Sequence, residues 1–299
     1  MLQQAAASAA DAQHYPTGSL YVVATPIGNL ADITLRAIHV LALVDAIACE
    51  DTRHSAPLLR QLGVDSKPLL AVHEHNEREA AAAVLLRLAA GERVAYVSDA
   101  GTPAVSDPGA ALVAAVQAAG HRVVPIPGAS SATAALSVAG DAAVGPFTFA
   151  GFLPTRSAER ARAASALAAC RHAQVVFEAP HRIEALATAL AAACGARRLT
   201  VCRELTKQFE TVHTLAADEF PGWLAADANR CRGEFVLVLH AAVDEAPDAA
   251  VPAFEAALKT LLGALPLKQA VALVVELTGA PRNAVYEHAL TLKGDAPGE

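Results

Sequence analysis

The sequence predicts an α/β protein in three parts: a mainly parallel N-terminal sheet, a second domain of mixed α+β structure, and a small helical unit at the C-terminus. Three observations carry this. Short β-branched runs alternate with alanine- and leucine-rich helical stretches through the first half. Beyond Gly145-Pro146 the strands become shorter and more aromatic, and some are spaced closely enough to pair antiparallel. Finally, VDEAPDAAVP (243 to 252), rich in Ala, Asp and Pro, reads as a linker before a last helical pattern.

Taken in order, MLQQAAASAADAQHYPT (1 to 17) lacks both a basic start and a continuous apolar block, so a loose tail is expected there and not a secretory signal. The first domain, 18 to 145, holds LYVVAT (20 to 25), AIACE (46 to 50), VAYVS (94 to 98) and RVVPIP (122 to 127). Each run is bounded by Gly, Pro or Asp and followed by helical spacing, the pattern of β-α units around a buried parallel sheet. The second domain, 146 to 241, holds FTFAGFLP, QVVFEAP, LTVCREL, FETVHTL and GEFVLVLH. In the last unit, 250 to 292, LKQAVALVVELTGAPRNAVYEHAL reads as helix, turn at Gly279, helix. Val271, Val274, Val275 and Leu277 form one apolar stripe, and Val285, Tyr286 and Leu290 another.

A chain of 299 residues that is 54% apolar can bury a large core and is not disordered. Its longest apolar stretches, such as 80 to 90, are broken by Arg87 and stay short of the roughly 20 residues a membrane helix needs, so no membrane is expected. Five cysteines form no C-x-x-C pair and leave an odd one over, which argues against a disulfide framework and a zinc cluster and suggests a reducing cytoplasm. The net charge of -7 lacks the overall basic footprint of a nucleic-acid binder. Residues 153 to 207, however, carry nine basic side chains against four acidic ones. That segment is either a set of solvated helix faces or a surface that meets phosphates.

In open parallel sheets ligands bind beyond the carboxyl ends of the strands. The loops to examine are Thr25 to Asn29, Glu50 to His54, SDAGTPAVSDPG (98 to 109) and PGASS (127 to 131). None contains the glycine-lysine or G-x-G-x-x-G arrangement of a phosphate cradle. Asp99 and Asp107 would repel a phosphate, and suit a cation or a ligand offering ribose hydroxyls and an amino group. Gly101 and Gly109 allow close backbone approach, Pro103 and Pro108 stiffen the loop, and Ala129, Ser130 and Ala132 offer a slot for an adenine. S-adenosylmethionine combines all these groups. Any one such loop is more often a tight turn, but they recur at the ends of successive strands.

In this order and spacing, TPIGNLADIT, CEDTRHS, SDAGTPAVSDPG, PIPGASS, GFLP, FEAPHR, RELTKQFE and GEFVLVL resemble the ribosomal RNA small subunit methyltransferase I family of the tetrapyrrole methylase superfamily. The resemblance runs from about Gly18 to Leu290. It implies a two-domain tetrapyrrole-methylase-like fold, a homodimer, and transfer of a methyl group from S-adenosylmethionine to the 2'-hydroxyl of a cytidine in the decoding region of 16S ribosomal RNA. It also implies a cofactor cleft between the domains, built from Pro26, Asp99, Ala100, Gly101, Thr102, Ser130 and Ser131, and closed by Glu178 and Pro180. Two departures are visible: TPIGN replaces the superfamily's G-x-G-P-G type loop, and Ala179 stands where the family often has serine.

Methyl transfer from a sulfonium needs no metal, since the leaving group departs neutral, but a base near the 2'-hydroxyl would help. Glu50, Asp51, Glu178, and Glu204 with Lys207 are candidates; Glu50 and Asp51 could equally cap the next helix or pair with Arg53. His54, His73, His75 and His181 are expected as ordinary hydrogen-bonded residues. Arg53, Arg182 and Arg203 are expected to hold RNA phosphates near the cleft, and Arg156, Arg160, Arg162, Lys268 and Arg282 to grip the surrounding RNA. Within the 98 to 109 loop, Asp99 to Thr102 are expected to touch the cofactor, and Ser106 to Gly109 to shape the loop and start a helix. Three other functions fit the residues less well: a methylase of a small tetrapyrrole precursor, a modifier of a translation-factor residue, and a non-catalytic RNA-binding or ribosome-assembly module.

Overall fold

The computed structural model describes residues 2–294 apart from 65, 74, 143–144 and 243–253. The expected linker at 243 to 252 lies outside the described residues. The chain forms two compact units, Met1–Ala242 and Val243–Glu299.

The first sheet of the larger unit is built from β1 (Ser19–Val23), β2 (Ala46–Cys49), β3 (Leu69–Ala71), β4 (Val94–Val97) and β5 (Arg122–Ile126), in the order β3-β2-β4-β1-β5, all parallel. β2 and β4 are buried along their whole length, as continuous apolar runs in a sheet covered on both faces should be. Around it lie α1 (Leu2–Ala10), α2 (Leu35–Leu43), α3 (Thr52–Gln61), α4 (Glu77–Ala89), α5 (Gly109–Ala118) and α6 (Ser131–Ala139). β3 was not expected. It is an edge strand of three residues with no buried position, too short to show a period.

The N-terminal stretch is not a loose tail over its first ten residues. Its alanines, the strongest helix formers, form α1, which packs on α2 with Ala6 and Ala10 buried. Gln3 Nε2 fixes it by donating to the carbonyls of Gly63 at 2.6 Å and Leu62 at 3.2 Å.

The second sheet contains β6 (Phe147–Phe152), β7 (Ala173–Glu178), β8 (Arg198–Arg203), β9 (Thr211–Ala216) and β10 (Phe235–Leu239), ordered β6-β7-β10-β8-β9. β6 runs parallel to β7, and the remaining pairs are antiparallel. α7 (Ser157–Ala169), α8 (Ile183–Cys194) and α9 (Phe220–Ala225) cover one face, burying Leu186, Leu190 and Phe220 against Leu199, Val201 and Leu237. The opposite face is covered by α6, although α6 follows the last strand of the first sheet. Its Ala132, Ala135 and Ala139 form one stripe against Val175, Cys202, Val236 and Val238.

The smaller unit has α10 (Glu255–Leu262), α11 (Leu267–Thr278) and α12 (Arg282–Gly294), with Gly279 (φ +69°) ending α11 as the sequence suggests. Its core joins Phe254 and Leu258 to Val271, Val274, Val285 and Ala289. Leu277, expected on the buried stripe, is instead 73% exposed, and Tyr286 and Leu290 also face outward. The unexpected α10 presents Phe254 and Leu258, which draws the buried faces toward the 271/274 and 285/289 positions.

Gly109, the first residue of α5, is a point of close approach: a Cβ there would sit 2.0 Å from Cε1 of Tyr96, a fully buried ring. Gly109→Ala is therefore expected to lower unfolding stability by about 1 to 3 kcal/mol through overpacking. Urea denaturation read by far-ultraviolet circular dichroism measures this, with an unchanged slope expected.

Candidate functional site

The strand-end loops of the first sheet and the near ends of β7 and β10 enclose a cavity of about 440 Å³ within the larger unit. The 98 to 109 loop follows β4, the fourth strand in the chain, and forms one wall. It is pinned to the first loop by a two-way backbone bridge: Thr25 N–H donates to Gly101 O at 2.9 Å, and Gly101 N–H to Thr25 O at 3.1 Å. Gly101 takes φ +80° there, which a side chain would oppose. Thr102 Oγ1 donates to Ala129 O at 3.0 Å, tying the loop to the one that starts α6.

Asp107 organises the rest of the loop. Its carboxylate accepts hydrogen bonds from Tyr96 Oη at 2.9 Å, Ala104 N at 2.8 Å and Gly109 N at 2.8 Å. Burial, followed by the Asp107 charge, pushes the Tyr96 phenol up, so it stays a donor. The expected division of the loop is only partly sharp: Asp99 to Thr102 line the cavity, but so do Val105, Ser106 and Asp107.

Among the expected cofactor residues, Asp99, Ala100, Gly101, Thr102, Ser130, Ser131, Glu178 and Pro180 all line the cavity. Pro26 does not. It lines an adjoining hollow of about 290 Å³ with Gly28, Asn29 and His54, because the chain turns away from the cavity before Ile27 points back into it. Ser98 and Asp99 border both spaces. Sequence reasoning missed most of the apolar lining, including Ile27, Val105, Phe152, Phe177, Leu205 and Phe235, and the polar Glu234.

Of the base candidates, Glu50 and Glu178 line the cavity. Burial pushes the Glu50 carboxyl above the usual range, partly offset by the Asp99 N–H it accepts at 3.4 Å. Glu178 is fully buried. Arg182 Nε lies 3.0 Å from its Oε1 without being aligned for a hydrogen bond, Ala179 N–H donates to the same oxygen at 2.9 Å, and Oε2 has no partner.

Asp51 instead caps α3, accepting from Arg53 N at 2.8 Å, and grips the Arg53 guanidinium at 2.6 Å; these bonds hold its carboxyl down at about 2. Arg53 is thus paired with Asp51, while its side chain stays 87% exposed. Glu204 and Lys207 also lie outside the cavity lining. Lys207 Nζ bonds Glu204 Oε1 and Glu234 Oε2, each at 2.9 Å, and its stem lies over Gly28. Glu204 (φ +55°) and Thr206 (φ +66°) are held in the left-handed region by this turn.

His54 Nδ1 meets Asp99 Oδ2 at 2.8 Å, and this hydrogen bond raises its pKa. Of the expected RNA arginines, Arg182 turns inward to Leu153 O and Glu178, and Arg203 to the carbonyls of Arg232 and Phe209, so both brace loops. Arg156, Arg162, Lys268 and Arg282 are exposed, and Arg160 is half-buried, donating to Thr155 O at 2.9 Å.

The chain is a methylase by family membership, and the fold agrees. Residues 19–221 match the family model of Tetrapyrrole (Corrin/Porphyrin) Methylases, and residues 248–293 match the RsmI C-terminal HTH domain. Uroporphyrin-III C-methyltransferase from Thermus thermophilus shares the fold, with TM-score 0.54 at 20% identity over 75% of this chain and 94% of that one. Much nearer in sequence are two proteins named ribosomal RNA small subunit methyltransferase I. The one from Neisseria meningitidis serogroup A is 48% identical over 92% of this chain and 94% of its own. The one from Pseudomonas aeruginosa is 46% identical over 93% of this chain and 98% of its own. The chain belongs to the ribosomal RNA small subunit methyltransferase I family.

The Asp107 network sets the shape of the wall. Asp107→Ala leaves one hydroxyl and two amides without an acceptor, and is expected to destabilise the protein by at least about 2 kcal/mol. Amide exchange at Ala104 and Gly109 should accelerate at least tenfold, which mass-spectrometric hydrogen exchange checks.

Proposed function

We propose that this chain is an enzyme that transfers the methyl group of S-adenosylmethionine to the 2'-hydroxyl of a cytidine in the decoding region of 16S ribosomal RNA. Its substrate is the small ribosomal subunit, in the cytoplasm, and it acts as a homodimer. The single observation that carries the donor is the character of the cavity: Glu50, Asp99 and Asp107 line it together with Glu178 and Glu234, which pair with Arg182 and Lys207 behind the wall, and among the described residues no lysine or arginine lines it. Such a wall repels phosphates and accepts a cationic ligand with amino and hydroxyl donors. The volume suits one small molecule. Membership of a family whose relatives are named for the small ribosomal subunit supports the RNA substrate.

When bound, S-adenosylmethionine supplies an electrophilic methyl whose sulfur leaves neutral. The chain's own residues do the rest. Asp99 to Thr102, Ser130 and Ser131 hold the donor from the first sheet, and Glu178 to Pro180 from the second. Of the proton acceptors considered, Glu50 stands at the cavity wall with one carboxylate oxygen bonded to the Asp99 amide and its pKa raised by burial. Glu50 is the base assigned to the 2'-hydroxyl. The ribose hydroxyl is what separates RNA from DNA as substrate.

Small subunits from cells lacking this chain should take up label from tritiated S-adenosylmethionine, and nuclease digestion with mass spectrometry should find it on one 2'-O-methylcytidine. Label in a tetrapyrrole or in protein would overturn the reading. Glu50→Gln should lower kcat about 100-fold. Wild-type activity should fall as pH drops through a value above the ordinary carboxylate range, because the base must be ionised. That acid limb should be absent from the variant.

The basic segment predicts a salt effect. Replacing Arg156, Arg160 and Arg162 together with alanine should reduce the salt slope of RNA binding by about 2, at roughly 0.7 per lost phosphate contact, with S-adenosylmethionine affinity unchanged. Binding measured from 50 to 300 mM salt checks this, and an unchanged slope removes the three arginines from the RNA path.

A further inference from the structure

We propose that Phe152 is the stacking platform for the base of the target nucleotide, holding it at the cavity mouth while its ribose is methylated. The inference rests on the reading of this chain as an RNA ribose methylase, and it assigns that site its base-holding element.

The backbone of β6 carries the argument. In a regular strand, residues three apart point to opposite faces. Phe149 and Phe152 nevertheless both pack on Phe177, with ring centroids 5.0 Å and 5.7 Å away and interplanar angles of 74° and 73°. A bulge makes this possible. Along β7, Phe149 pairs with Val175, Gly151 with Val176 and Phe152 with Phe177, leaving Ala150 as the extra residue. Gly151 takes φ +63°, the left-handed conformation a bulge of this kind needs. The irregularity turns Phe152 toward the cavity, which it helps to line.

Support and exposure fit the role. Phe177 braces Phe152 edge-on from one side, yet Phe152 remains 53% exposed. A large apolar ring fixed by its neighbours but open to solvent offers a face to stack on. The adenine of a bound donor is a poorer occupant, because small-molecule ligands are mostly enclosed. β6 is the edge strand of its sheet, and a base splayed from RNA must arrive from outside. Arg156 follows four residues later, just before α7; its side chain is 83% exposed and holds Glu159 only through a 3.3 Å surface pair, which leaves it able to meet the phosphates flanking a base held on the ring.

The full-length protein tests this with Phe152→Ala, Phe152→Leu and Phe152→Trp, assayed on small subunits lacking the modification. Donor affinity is read by calorimetry with S-adenosylmethionine. The alanine and leucine variants should bind S-adenosylmethionine within twofold of wild type, while kcat/KM for subunits falls about 10- to 100-fold with KM raised at least fivefold. Tryptophan should restore kcat/KM to within threefold. Three results would overturn the proposal: full activity of the alanine and leucine variants, a tenfold loss of donor affinity in either, or a changed sedimentation coefficient, which would place Phe152 in a protein interface. If the wild-type protein binds the donor but labels no subunits, the RNA reading itself falls, before any variant is compared.

Discussion

The packing of α6 onto the second sheet is the contact on which the site depends. α6 begins at Ser131, on the loop that forms one side of the cavity, and its alanine stripe lies against β7, β8 and β10. Ile27 and Leu205, from loops of the two sheets, join the same apolar cluster and also line the cavity. The donor-facing loops of the first sheet and the Glu178 loop of the second are therefore held in register by apolar burial and not by a flexible connection. Alanine suits this interface, since a larger side chain at 132, 135 or 139 would push the sheet away and widen the cavity.

The same constraint explains which parts of the fold were legible in the sequence. β1, β2 and β4 announce themselves because strands buried on both faces need uninterrupted apolar runs, whereas β5, an edge strand with only Ile126 buried, is legible from its β-branched residues between turn signals. The five strands of the second sheet were legible from their aromatic content and close spacing, although, contrary to expectation, they are not shorter than those of the first sheet: each has five or six residues. β3 was not, because an unburied three-residue edge carries no pattern. α1 was missed for the opposite reason: an alanine-rich stretch signals little in hydropathy, yet Ala6 and Ala10 are buried. The assignment of α6 to the second sheet's core was also invisible, since a stripe of alanines does not name its partner.

For the site, the polar loop motifs pointed to the right walls, whereas individual roles required coordinates. Asp51 and Glu50 are adjacent in sequence, but one turns out to cap α3 and the other faces the cavity. Arg182 and Arg203 add to the count of a basic segment yet spend their donors on backbone carbonyls, a use that charge patterning cannot distinguish from phosphate binding. The aromatic lining was illegible because it depends on a bulge. Regular alternation from Phe149 would have sent Phe152 to the far face.

Charge is distributed in a way that a single net value hides. Among the described residues the cavity lining has carboxylates and no lysine or arginine, whereas Arg156, just before α7, and Arg162, on it, are exposed. On the proposed reading, an RNA strand drawn to those arginines is repelled by the carboxylates if its phosphates move inward, which favours approach of an uncharged part, a base with its ribose hydroxyl. A cationic donor is attracted to the same carboxylates and kept from the basic rim. On that reading the two reactants are sorted by charge to opposite sides of a boundary at the cavity mouth, where Phe152 is proposed to stand. At that boundary an uncharged aromatic surface is the one kind of contact that favours neither the phosphates nor the sulfonium by long-range attraction, and selects instead for a flat base.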